Sequence, residues 1–156
     1  MRLFISAMAI LFSSCNSEAK EPTKNHGRIV HAAWECASYA GMAEKSDEAQ
    51  TLFNNGLESG RTFIKQIESN EITEDYIRSN VPIGTTMVIF EGGPTTDFIL
   101  GRLYQSVSTY AYDKVVKEDR SGQPLKVGEW NLDKDLQKSI AEGKYLKSNC
   151  ELLLSL

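Results

Sequence analysis

A chain of 156 residues, 41% hydrophobic and 24% charged, is long enough to bury the core of one domain and too short for two comfortable ones. Its net charge of −4, with Lys and Arg interspersed among Asp and Glu, excludes the clustered basic surface that nucleic acid requires. No Asn-x-Ser/Thr sequon occurs, which fits a bacterial envelope protein.

The first ten-residue apolar run, Leu3 to Phe12, follows Arg2 and precedes Ser13, Ser14 and Cys15, the order of an export signal. At about 20 residues a membrane span would be longer. Two processing routes fit residues 1–19: acylation at Cys15 as in a bacterial lipoprotein, with Phe12 an unusual neighbour, or cleavage after Ala19. Residues 20–27 then read as a polar tether and 28–156 as the folded domain, with the membrane reached only through a lipid anchor at Cys15. Loss of residues 1–19 removes Arg2 and Glu18, one charge of each sign, so the net charge is unchanged. Acylation or removal of Cys15 leaves Cys36 and Cys150, which in an oxidising compartment predicts one disulfide between the first structured segment and the last.

Apolar residues at three- and four-residue steps from Ile29 through Cys36 to Ala43 predict a first helix. A second opens at Asp47 and carries the stripe Leu52, Phe53, Gly56, Gly60, Phe63, Ile64 and Ile67. Each glycine in it costs about 1 kcal/mol against alanine, so both are expected where another helix comes close. Thr73 with Glu74 and Asp75 starts a short helix that Val81-Pro82 ends. The stretch from Ile83 to Phe90 has strand-like composition but no second β-rich run to pair with, which predicts a short buried helix.

Gly92-Gly93-Pro94 breaks the chain, and Pro94 suits the first turn of a long helix reaching about Glu118. Lys114 and Lys117, accompanied by Asp113, Glu118 and Asp119, read as a solvated face of it. Residues 119–130 form an exposed connector, and a last helical region starts near Asn131, with Gly143 a point of division. The expected fold is all-α: a compact single-domain bundle of five or six helices closed by one N-to-C disulfide.

Most catalytic constellations are missing. His31 and Glu35 lie four apart on the first helix, but two ligands make no metal site, and neither phosphate loops nor dinucleotide fingerprints accompany them. Neither a metal nor a cofactor is expected, and no Gly-x-Ser-x-Gly turn exists for serine catalysis. Glu91 and Asp97, flanking the Gly-Gly-Pro break, are the one carboxylate pair suited to glycan hydrolysis, though each position is also explained as a turn or helix-start residue. Arg102, one turn beyond Phe98, needs a carboxylate from another helix, and Tyr104, Tyr110 and Tyr112 point around several faces of the long helix.

These residues predict a non-catalytic envelope binding protein, of which an immunity or inhibitor role toward another envelope protein is the most concrete form. Arg102, Tyr104, Glu91 and Asp97 are its first candidate partner-binding residues. A small carboxylate-dependent cell-wall glycan hydrolase and a periplasmic holdase or assembly factor are the alternatives.

Overall fold

A computed structural model describes residues 24–156; the predicted export signal, Cys15 and the start of the tether lie outside them. Six α-helices occur among the described residues: α1 His26–Met42, α2 Ser46–Glu68, α3 Glu74–Asn80, α4 Ile83–Glu91, α5 Thr96–Val116 and α6 Lys134–Lys147. α1 begins two residues before the expected start of the folded domain at Arg28, because Asn25 caps it: the Asn25 side chain accepts from the Arg28 N–H at 3.0 Å and donates to the Asn80 carbonyl at 2.9 Å.

α1 is the central element. It packs against α2, α5 and α6, so apolar residues are needed around most of its circumference, and Val30, Ala33, Trp34, Cys36, Tyr39 and Ala40 are all buried. Its first half joins one core cluster with Phe63, Leu100 and Leu103, and its second half joins another with Leu52, Val115, Ala141 and Tyr145. Buried Cys36 and Cys150 form the disulfide, with Cα atoms 5.5 Å apart, tying α1 to the 3-10 turn Cys150–Leu153 that follows α6.

The two glycines of α2 are packing residues. A Cβ on Gly56 would lie 2.5 Å from the Trp34 indole, and one on Gly60 would lie 2.6 Å from Leu100 and 3.2 Å from Val30. Their bare backbone lets α1 and α5 approach α2.

Several local expectations change in the folded chain. Pro94 precedes the helix instead of entering its first turn, since Thr95 is the N-cap and accepts from the Phe98 N–H. Gly143 does not divide α6, which continues to Lys147; the break falls at Asn149, whose φ of +52° turns the backbone left-handed. Lys114 is not on a solvated face, because it crosses to α1 and pairs with Glu35 at 3.0 Å. The connector holds a hairpin bridged between Glu118 and Pro124 and a 3-10 turn at Val127–Glu129. No helix among the described residues is long and apolar enough to cross a membrane.

Candidate functional site

α4 is oriented against its composition. It is a helix as expected, but it is not buried on its apolar side: Ile83, Met87 and Phe90, at steps of four and three residues, form one solvent-facing stripe at 73%, 58% and 41% exposure. The opposite side inserts Thr85 and Thr86 into the protein together with Ile89. Burying hydroxyls is tolerated because each is bonded: Thr86 Oγ1 donates to the Pro82 carbonyl at 3.3 Å, and Thr85 Oγ1 lies 3.0 Å from His31 Nδ1. A helix that buries threonines and presents isoleucine, methionine and phenylalanine to solvent departs from the usual core logic, and such departures concentrate at functional sites.

The stripe borders a groove of about 340 Å3 lined by His31, Pro82, Ile83, Gly84, Val107 and Tyr110. Tyr110 is half exposed on α5, with the Lys114 ammonium 4.3 Å from its ring centre. Behind it, Glu35 accepts from both Lys114 Nζ at 3.0 Å and Tyr39 Oη at 2.8 Å. Burial opposes the charge on Lys114, but its hydrogen bonds to Glu35 and Tyr110 outweigh burial and raise its pKa. Burial also pushes Tyr39 upward, reinforced by the adjacent Glu35 carboxylate. It pushes His31 downward against the pull of Glu35, so its imidazole favours the neutral form. At the far end of the stripe, the Arg78 guanidinium lies 5.0 Å from the Phe90 ring centre and Arg102 lies 6.0 Å from that of half-exposed Phe98.

Of the residues singled out from sequence, the fold joins Arg102 to Glu91 and places Asp97 and Tyr104 elsewhere. Arg102 finds its carboxylate on another helix, pairing with Glu91 at the end of α4 and donating to the Gly92 carbonyl at 3.1 Å. Asp97 is held by Arg61 of α2, whose Nε and Nη2 both donate to Oδ1, at 3.2 and 3.0 Å. The two carboxylates are therefore each engaged by a different arginine, and neither lines the groove. Tyr104 is half-buried and packs edge-on against Trp34 and Phe53, with ring centres 5.6 and 5.1 Å away. Tyr110 and Tyr112 are the more exposed tyrosines of α5.

Ile83, Met87, Phe90 and Thr85 were not legible as a site. A helical projection of residues 83–90 puts Thr85, Thr86 and Ile89 on one side and Ile83, Met87 and Phe90 on the other, but it does not say which side faces inward. His31 meets Thr85, and Glu35 accepts from Tyr39 and Lys114. No group of three or more His, Cys, Asp or Glu that could hold a metal ion occurs among the described residues. No family model, no curated protein and no solved structure matches this chain.

Proposed function

We propose that this protein is a non-catalytic binding protein of the bacterial envelope that receives a protein partner on the α4 and α5 face, in an immunity or inhibitor role toward another envelope protein. The observation that carries the reading is the inverted α4: Ile83, Met87 and Phe90 face solvent while Thr85 and Thr86 are buried. Methionine, aromatic rings and arginine are the residue types enriched where proteins meet, and the 340 Å3 groove beside Tyr110 suits an apolar anchor from a partner. Export, with Cys15 acylated or the chain cleaved after Ala19, accords with the Cys36–Cys150 disulfide, since such bonds persist in oxidising compartments. The arginine partners of Glu91 and Asp97 support binding over glycan hydrolysis, which needs two carboxylates flanking one bond.

The test is partner capture from envelope extract with wild type and folded variants. Ile83→Asp and Met87→Asp should each weaken capture at least tenfold, with circular dichroism unchanged, because truncating or charging a central contact costs about 2 kcal/mol or more. Glu91→Gln and Asp97→Asn should retain the partner. Retention by both aspartate variants refutes the docking face, and loss of biological effect with either carboxamide variant favours the hydrolase.

A further inference from the structure

A second concavity, of about 380 Å3, lies between the 117–124 hairpin and the last turns of α6. Its wall carries three cations, Arg120, Lys144 and Lys147, against one carboxylate, Asp119, together with Ser139 and an apolar floor at Ile140.

Two carboxylates stand at this groove, and each is turned to partners of its own; Asp119 stays ionised, because its hydrogen bonds to Gln123 and Ser121 lower its pKa. Asp119 Oδ1 accepts from the Ser121 N–H at 2.8 Å, the Ser121 hydroxyl at 2.7 Å and the Gln123 N–H at 2.9 Å. These bonds, with Gly122 N–H donating to the Asp119 carbonyl and Gly122 at φ +85°, make a tight turn that presents Arg120 across the groove from α6. Glu118 meets Lys144 at 3.3 Å. Arg120 and Lys147 form no ion pair among the described residues, and both are exposed.

Gly143 lines the same groove. Unlike Gly56 and Gly60, it has no neighbour within 4 Å of where a Cβ would stand, so close helix packing does not account for it. Glycine inside a helix costs about 1 kcal/mol against alanine. Here the missing side chain leaves the space between the lysines and the hairpin open.

We propose that this groove binds a phosphate ester. The phosphate group, a dianion in a monoester and a monoanion in a diester headgroup, would be held by Arg120 and Lys147, with Lys144, shared with Glu118, and the Ser139 hydroxyl also donating to it, and the organic group would rest on Ile140; the guanidinium supplies a planar fork and the ammoniums point charges. The site is separate from the α4 and α5 face and does not depend on the docking proposal. The same phosphoester chemistry is offered by a soluble phosphorylated metabolite and by a phospholipid headgroup.

Calorimetric titration of the purified protein with inorganic phosphate and glycerol 3-phosphate, and co-sedimentation with phosphatidylglycerol or phosphatidylcholine vesicles, separates these sources. Glycerol 3-phosphate should bind more tightly than inorganic phosphate if the ligand is soluble; sedimentation with phosphatidylglycerol but not phosphatidylcholine, without binding of glycerol 3-phosphate, assigns the lipid. In either case Arg120→Glu and Lys147→Glu should each weaken binding at least tenfold, and Gly143→Leu, which fills the groove without altering charge, should abolish it. The proposal is overturned if no probe binds, or if affinity survives both charge reversals. It is equally overturned if Gly143→Leu, folded by circular dichroism, binds as wild type does, since the attraction is then a diffuse surface effect. Should Gly143→Leu fail to fold, the two charge reversals decide.

Discussion

Gly56→Ala sets two effects against each other, and the structure decides between them. Alanine in a helix interior is better than glycine by about 1 kcal/mol. The new methyl, however, would stand 2.5 Å from Trp34 Cδ1 and Nε1, closer than any real Cβ contact. Trp34 is 1% exposed, its ring is flanked by Phe53 and Tyr104, and its Nε1 donates to the Phe53 carbonyl at 3.1 Å, so the indole has no free direction in which to move. Overpacking costs about 1 to 3 kcal/mol and a stranded buried N–H about 1 to 3 more. After the helix gain is subtracted, the variant should be less stable by about 3 kcal/mol. Urea titration followed in parallel by far-ultraviolet circular dichroism and tryptophan fluorescence measures this, and native fluorescence should also change as the indole shifts. Gly60→Ala should lose less, because the atoms it meets at 2.6 Å are the end of the Leu100 side chain, which has rotamers to yield with. Gly143→Ala, meeting nothing, should gain about 1 kcal/mol. A Gly56→Ala protein as stable as wild type, or stability changes in any other order, would refute the packing account of α2.

The Cys36–Cys150 bond closes 114 residues of chain, for which the chain-entropy model gives about 4 to 5 kcal/mol; unfolding free energies from urea titration of the oxidised and reduced protein less than about 1 kcal/mol apart would contradict it. Tyr39 and Lys114 both have pKa values raised by folding, so their contribution is fully present below about pH 10, the range of the unfolded groups. Stability should therefore fall as pH rises beyond that, and Tyr39→Phe should flatten the alkaline limb of a Tm profile. If Cys15 is the acylated residue, wild type should sediment with membranes and Cys15→Ser should be soluble; a soluble wild type beginning at Lys20 identifies cleavage after Ala19 instead.

What the amino-acid order determined by itself was whatever is encoded locally or by count. Thr73 sets a helix start by accepting from the N–H three residues on, an interaction that needs no distant partner, whereas the last helix, expected from near Asn131, starts at Lys134 because Asp133 caps it in the same way. Gly56 and Gly60 announced a close helix approach because their cost in a helix demands one. The pairing of Cys36 with Cys150 was expected from the cysteine count, and the two are bonded in the fold. The break at Gly92-Gly93 was likewise local, although Thr95 capped α5 more effectively than Pro94 could start it. Periodicity also marked the buried stripe of α2, but tertiary structure decided which side of α4 faces inward. α4 carries one side with Thr85, Thr86 and Ile89 and another with Ile83, Met87 and Phe90, and local preference does not rank them. Thr86 bonds to the Pro82 carbonyl within its own turn, but Thr85 is buried against His31, 54 residues away, and this packing leaves Ile83, Met87 and Phe90 outside. The same holds for Lys114, drawn from its expected solvated face by Glu35, and for Glu91 and Asp97, divided between Arg102 and Arg61. Hydrogen bonds and ion pairs between residues far apart in the chain exist only after the helices have packed, so the faces they select are not written in any local pattern.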